Sequence, residues 1–486
     1  MNKFEILPSC KEAVFHDEMV RIDETWGIKD RSGLDRIKSK FQTVLGVADD
    51  ERSKNLSLAR KENLGEEEYR IDIDAAGMAI AASTPQGFQR AYATLIQLQD
   101  GPHLPACHIH DWPRLPIRGM HLMFRCFRQM GFVEAQNLIA TAARLKLNTL
   151  LMEFGDRFPF AGRHRIVASP SALTRAEITA LVTQAREQGM EIIPLLQSLG
   201  HLEYLLKHDA YAEVREEDQH RAQMCPTNEK SFQIFTELAE DMLQMFGNSR
   251  FMHIGADEAR QLGHCPRCKM EMQKTSKGVL YATHTNRICE WLCRKGLTPI
   301  LWDDILCAHP DALEHLHPGA WIMYWDYWTT SLDNPLLVAR HDRANKSHIV
   351  YDARWQTEWR NELPTVTARV LEAYGQPVRL EEDLTASFIK VYGPYLGGQF
   401  PKFVRPFPYL EYYQAKGRKV IGAPTCSGNR SSWHKLPDFP RYGENIHSFA
   451  ERCIEARSAG LIATAWYNRM PEILHPGLIE TAEFTW

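Results

Sequence analysis

Nowhere in its 486 residues does the chain carry an apolar run approaching the ~20 residues needed to span a bilayer as a helix. Positive charge is not in excess either. Lys and Arg number 57 against 61 Asp and Glu, a formal charge of -4, which argues against nucleic acid or an anionic membrane as the main partner. The first residues, Met1-Asn2-Lys3-Phe4-Glu5-Ile6-Leu7-Pro8, lack the long apolar core of a secretion signal. Eleven cysteines, an odd number scattered along the chain, suit free thiols in a reducing compartment better than a disulfide framework. The expected location is therefore the cytoplasm, and the sequons at Asn345 and Asn429 are then chance matches. Low-complexity segments are absent, and no repeat is evident beyond an alternation of strand and helix patterns.

What is present is ordinary globular composition, 44% hydrophobic and 24% charged, at a length that exceeds one small core. Residues 1–112 read as a small α/β domain. Glu68 to Ile73 alternates, with Tyr69, Ile71 and Ile73 on one face, and Met78–Ala82 follows after a glycine turn. Phe88, Ala91, Leu95 and Leu98 recur at helical spacing behind Pro85, so a helix is expected over about Phe88–Gln99. The proline-rich passage Pro102–Pro116 is expected to be a linker.

From Ile117 the pattern becomes strand, loop and amphipathic helix, repeated. Candidate strands are Ile117–Leu122, Thr149–Phe154, Glu191–Leu196, Phe251–Ala256, Thr298–Trp302, Trp321–Tyr324, Lys419–Ala423 and Leu461–Ala465. Eight apolar strands with helical crossovers point to a (β/α)8 TIM barrel over residues 113–486. The gap from about 331 to 417 is too long for one crossover. It is expected to be an insertion rich in Trp, Tyr and Pro that packs over the barrel mouth. Its aromatic content also makes it a candidate, in a homodimer, to complete a neighbour's pocket.

The stretch Phe251-Met252-His253-Ile254-Gly255-Ala256-Asp257-Glu258 is a short apolar run ending in two carboxylates. Buried parallel strands carry catalytic groups at their carboxyl ends, and a carboxylate pair there has a large desolvation cost and no packing role. Glycosidic bond cleavage uses such groups, but usually two of them facing each other across the sugar. Neighbouring residues on a strand point to opposite sides, so Asp257 and Glu258 cannot easily form that opposed pair. They can touch different parts of one substrate. That arrangement fits hydrolysis in which the substrate's own 2-acetamido carbonyl attacks C1. Glu258 is then the acid and base, and Asp257 orients the acetamido N–H and stabilises the cationic intermediate.

His253-Ile254-Gly255-Ala256-Asp257-Glu258 resembles the His-x-Gly-(Gly/Ala)-Asp-Glu signature of glycoside hydrolase family 20, the β-N-acetylhexosaminidases. The resemblance covers most of the chain, and the segment Gln197 to Glu216 is most similar to the intracellular, hexosaminidase D-like branch. It implies a retaining, exo-acting enzyme for terminal β-linked GlcNAc or GalNAc, free of cofactor and metal, with a small carbohydrate as its partner. By the same resemblance Arg118, in Pro113–Gly119, would hold the hydroxyls of the terminal sugar. His201 would border the site on a Gly-His loop after the third strand. Trp302, Trp325 and Trp466 would wall the acetamido group, and Asp156 stands among the candidate sugar-binding groups. The chain departs from the family pattern on the second strand, where Glu153 and Asp156 replace the usual His and Asp, and on the seventh.

Two other classes fit parts of the sequence. A catalytically silent glycan-binding barrel would account for the departures. A zinc-dependent hydrolase would use segment 264–293, where Cys265-Pro266-Arg267-Cys268 followed by Cys289 and Cys293 resembles the spacing of a structural zinc site.

Overall fold

The computed structural model describes residues 5–125, 130–340, 348–427, 437–466 and 471–486; both sequons lie outside them. Its centre is a closed barrel of eight parallel strands: β1 (Ile117–Met123), β2 (Thr149–Glu153), β3 (Glu191–Leu195), β4 (Phe251–His253), β5 (Thr298–Trp302), β6 (Trp321–Trp325), β7 (Val420–Ala423) and β8 (Gly460–Ala465). Each strand pairs with the next in sequence, and β8 pairs with both β7 and β1 to close the ring. The eight expected strands are therefore all present, with ends shifted by a few residues. Strand residues alternate between an inner cluster (Leu151, Ile193, Ile300, Trp302, Met323, Ile421 and Ile462 among it) and an outer layer packed under the helices. That two-sided burial is why these segments read as continuous apolar runs. Helices such as Phe132–Arg144, Arg175–Glu187, Glu229–Phe246 and Lys277–Arg294 supply the crossovers. Among the described residues no helix is long and apolar enough to cross a membrane.

A six-stranded mixed sheet precedes the barrel, in the order Glu12–Arg21, His103–Asp111, Tyr69–Asp74, Gly77–Ala82, Lys54–Arg60, Trp26–Arg31, backed by helices Asp35–Leu45 and Pro85–Leu98. The expected linker is thus corrected, because most of Pro102–Pro116 is a strand inside this sheet. Pro105 is tolerated where the ladder with Glu12–Arg21 shifts register, and Tyr69–Asp74 pairs only from Cys107 onward, so no ladder needs the missing N–H.

The segment between β6 and the crossover helix Pro408–Ala415 folds on itself. Leu336–Ala339, His348–Asp352 and Gln376–Val378 form a small sheet. Trp355, Tyr392, Tyr409 and Tyr413 are buried within the chain, so these rings of the insertion are committed internally.

Sheet domain and barrel meet through buried charge. Glu67 receives Arg90 Nε at 2.7 Å and Arg118 Nη1 and Nη2 at 2.7 and 2.9 Å. Burial alone would raise the Glu67 carboxyl, but the two guanidiniums hold it at about 2. Beside it, Asp111 accepts from Lys146 Nζ (2.7 Å), Tyr69 Oη (2.7 Å) and the indole of the final residue, Trp486 (2.8 Å). The Arg118 and Lys146 side chains lie over the Trp486 ring at 4.9 and 4.6 Å. Removing the shared anion strands two buried guanidiniums, so Glu67→Ala is expected to cost roughly 3–5 kcal/mol of stability. Urea denaturation checks this.

Candidate active site

The loop leaving β4 decides where the carboxylates go. The strand was expected to reach Ala256 but ends at His253, because Gly255, Ala256 and Glu258 take left-handed conformations at φ +62°, +69° and +47°. Such backbone is unfavourable for Ala and Glu, and strain of this kind collects at functional sites. Neighbouring contacts enforce it. A Cβ at Gly255 would stand 1.8 Å from Gln197 Oε1, and that same oxygen accepts from Ala256 N at 3.3 Å. A Cβ at Gly200 would stand 2.1 Å from the Asp257 carbonyl oxygen. The loops after β3 and β4 therefore touch backbone to backbone, which only glycine permits. The turn leaves Asp257 buried and Glu258 partly open to solvent, with its N–H donating to Asp304 Oδ2 at 2.9 Å.

His201, itself left-handed at φ +55°, faces both carboxylates. Its Nε2 lies 3.2 Å from Asp257 Oδ2 and 3.5 Å from Glu258 Oε2. Burial disfavours its charge, yet the Asp257 carboxylate outweighs that and lifts the imidazole to about 9. Burial likewise opposes ionisation of Asp257, but the His201 cation keeps its carboxyl below the ordinary value. At neutral pH these two are an ion pair. Asp304 is the reverse case: burial, then the Asp257 charge, push it to about 8, so it stands protonated beside the pair. Glu258 Oε2 also meets Arg260 Nη2 at 2.9 Å.

A second charged group borders the first. Glu153, at the end of β2, lies 2.7 Å from Arg125 Nε and 3.2 Å from His121 Nε2. Burial would raise it, but the Arg125 charge brings it to about 2. Arg125 also donates to the His201 carbonyl at 3.3 Å, linking the loop after β1 to the loop after β3.

Aromatic rings form the rest of the wall. Trp302 sits 4.5 Å from the His253 ring and 6.0 Å from Trp466, whose indole donates to Tyr327 Oη at 2.9 Å. Trp325 lies 5.1 Å from Tyr327. Behind it the guanidinium of Arg340, from the insertion, stacks at 3.8 Å while pairing with buried Asp303 at 3.1 Å. Burial depresses His253 to about 3, so it is a neutral histidine whose Nδ1 accepts from Gly255 N at 3.0 Å and steadies the turn.

Most of the anticipated residues gather at the carboxyl end of the barrel: Asp257, Glu258, His201, Trp302, Trp325 and Trp466. Asp156 is on that side too, in the short helix Gly155–Arg157 after β2, though the described contacts tie it only to its own loop. Arg118 is the correction. It lies near the amino end of β1, wholly buried against Glu67 and Trp486, and cannot reach a sugar. Arg125, seven residues on and just past β1, is the arginine that faces the site. His121, Gln197, Asp304 and Tyr327 are additions from the structure, whereas Glu153 enters the sequence reading only as a departure on the second strand, although a carboxylate closing an apolar strand signals it as it does Asp257. The cysteine grouping is corrected as well. Cys289 is buried and Cys293 exposed on helix Lys277–Arg294, while Cys265 and Cys268 gather instead with Cys225 and Glu216.

Two family models match the chain: "Glycosyl hydrolase family 20, catalytic domain" over residues 134–368 and "Glycosyl hydrolase family 20, domain 2" over residues 4–112. Hexosaminidase D from Bos taurus is 30% identical over 171 residues, 34% of this chain and 49% of that protein. Hexosaminidase D from Homo sapiens is 30% identical over 210 residues, 41% of this chain and 43% of that protein. The matches thus span about half the length of these curated relatives. A β-N-acetylhexosaminidase from Bacteroides fragilis shares the fold at a TM-score of 0.69 and 15% identity, covering 100% of this chain and 91% of that one.

The His201–Asp257 pair gives a signed pH dependence. The His201 value lies above its ordinary 6.5, so its stabilisation is complete below pH ~6.5 and disappears as pH rises through about 9. Asp257 is shifted down, so its share persists above pH ~4 and is lost only in stronger acid. Unfolding free energies of the native protein and His201→Gln should differ by a constant amount from pH ~5 to ~6.5, then converge by up to roughly 3 kcal/mol toward pH ~9.5. A difference independent of pH would rule out an imidazolium there.

Proposed function

The chain belongs to glycoside hydrolase family 20, and from that premise we propose that it is an exo-acting β-N-acetylhexosaminidase. It removes terminal β-linked GlcNAc or GalNAc by a retaining, substrate-assisted route. The observation that carries this reading is the Asp257–Glu258 turn, with one carboxylate buried and ionised and its neighbour open to solvent, against a wall of Trp302, Trp325 and Trp466.

The roles follow from that difference in environment. Asp257, held as an anion by His201, receives the acetamido N–H and turns the carbonyl oxygen toward C1. Attack by that oxygen forms an oxazolinium ring while Glu258 gives its proton to the departing glycosidic oxygen. Asp257 then offsets the positive charge of the ring at close range in a water-poor pocket, where such stabilisation is strong. Glu258, now a carboxylate, takes a proton from water as that water attacks C1 and reopens the ring. Two inversions at C1 give net retention. Trp302 and Trp466, with Tyr327 between Trp466 and Trp325, offer apolar faces to the acetamido methyl, and burying that methyl contributes about 1 kcal/mol. In this reading Arg125, held in place by buried Glu153, donates to the outer hydroxyls. No step requires a metal or cofactor.

In this reading residues 1–112 are the non-catalytic domain and 113–486 the catalytic barrel, with 331–417 inserted. The protein works in the cytoplasm on small oligosaccharides or glycoconjugate fragments, as a monomer or as a homodimer.

Paired aryl β-GlcNAc, β-GalNAc and β-glucoside substrates test the proposal. Turnover is expected only for the two N-acetyl sugars, and turnover of the glucoside would point to an ordinary two-carboxylate mechanism. Glu258→Gln should lower kcat on a natural glycoside by at least ~10³-fold, and Asp257→Asn by ~10²–10³-fold, in proteins that unfold like the native one. Near-native rates in folded Glu258→Gln would overturn it. Arg125→Met should raise KM at least ~10-fold, whereas Arg118→Met should leave KM unchanged and lower stability.

A further inference from the structure

Glu216, Cys225, Cys265 and Cys268 lie remote in sequence from one another as two pairs, yet their donor atoms all fall within 4.8 Å. Glu216 and Cys225 come from the loop after β3, on and just beyond the hairpin of Arg215–Glu217 and His220–Met224. Cys265 and Cys268 begin the helix Pro266–Met272 in the loop after β4. The Cys225 Sγ lies 3.5 Å from Cys265 Sγ and 3.6 Å from Cys268 Sγ, and Cys268 Sγ lies 3.3 Å from Glu216 Oε2.

Those separations fit one ion better than they fit packing. Tetrahedral zinc at ~2.3 Å from sulfur and ~2.0 Å from oxygen sets ligand atoms about 3.5–3.8 Å apart. Thiols buried merely as small apolar groups would face carbon. Here three converge on each other and on a carboxylate that is 2% exposed, with Cys225 at 3% and Cys268 at 0%. Backbone donors complete the cradle, as Cys268 N points to Cys265 Sγ (3.4 Å) and Cys265 N to Glu216 Oε1 (2.9 Å). Thr227 Oγ1 lies 3.3 Å from both Cys225 Sγ and Cys268 Sγ. Three sulfurs and one oxygen, all from protein, make a closed set of the structural kind, and soft thiolates select zinc over calcium or magnesium.

We propose that Glu216, Cys225, Cys265 and Cys268 form a structural zinc site that fastens the loop after β3 to the loop after β4. What it fastens is the active site. The hairpin is stitched to the His201 segment, with Leu202 N donating to Ala222 O (2.9 Å) and Met224 N to Leu199 O (3.0 Å). On the other side Gln261 N, three residues beyond Glu258, donates to Gln223 Oε1 at 2.8 Å. The ion holds the His201 loop against the Asp257 and Glu258 turn without touching substrate. Cys289 and Cys293 take no part.

Elemental analysis and zinc-edge X-ray absorption on the full chain, purified without immobilised-metal resin or chelator, test the site. The expected result is about one zinc per chain with three sulfurs near 2.3 Å and one light atom near 2.0 Å. Cys268→Ser should hold at most a tenth of that zinc and unfold at a lower temperature, while Cys293→Ser keeps all of it. If Cys268→Ser does not fold, partly exposed Cys265→Ser gives the same reading, and the native spectrum decides independently. Folded native protein that holds less than a tenth of an equivalent and takes up none after reduction and zinc addition would overturn the proposal. So would a disulfide among Cys225, Cys265 and Cys268 by mass mapping. Neither readout depends on turnover, so the metal site and the hydrolase reading can fail separately.

Discussion

The site depends on one steric constraint: two loops cross with backbone against backbone. Gly200 permits that approach, since a methyl there would collide with the Asp257 carbonyl, and Gly255 leaves room for the Gln197 side-chain amide that holds the turn. The price is strain, because Ala256, Glu258 and His201 are forced into left-handed backbone that non-glycine residues rarely adopt. Hydrogen bonds from Ala256 to Gln197 and from Glu258 to Asp304, with the His201–Asp257 ion pair, offset part of that cost. Two adjacent carboxylates that would point apart on a regular strand are thereby given one shared pocket.

Charge is arranged in layers around that crossing. Glu153 is balanced by Arg125 and Asp257 by His201, while Asp303, whose carboxyl burial raises, is paired with Arg340 from the insertion. Glu153 and Asp257, the two carboxyls held low, thus each have a cation within about 3 Å, as desolvated carboxylates require. Asp304 has no such partner and is neutral instead. Glu258 is the most exposed carboxylate of the group, which leaves its side chain open to solvent. At the opposite end of the barrel Glu67 and Asp111 anchor the sheet domain by the same rule. Trp486 covers their partners Arg118 and Lys146 and donates its indole N–H to Asp111, adding to that anchor.

Some of this was legible from residues alone and some was not. The eight barrel strands could be located because both of their faces are buried, which writes an uninterrupted apolar run into the sequence. Pro102–Pro116 reads as a linker because proline density signals irregular chain, and only the register shift between Phe15 and Met19 reveals how Pro105 fits a ladder. Arg118 and Arg125 are seven residues apart on one strand and its exit. Nothing in their identities says which end of the barrel each occupies, and the motif resemblance that points to Arg118 carries no sign that buried Glu67 claims its guanidinium.

The sequence by itself determined the barrel, the preceding α/β domain, and the placement of Asp257 and Glu258 at a strand end, because periodic burial and the desolvation cost of a carboxylate are local properties. Tertiary structure alone decided how the groups around that turn pair with one another. His201, Arg125, Arg340 and the Glu216–Cys225–Cys265–Cys268 cluster come from segments tens of residues apart. Ion pairing and metal-ligand geometry are set by distances of 2 to 4 Å between side chains, which chain order does not encode.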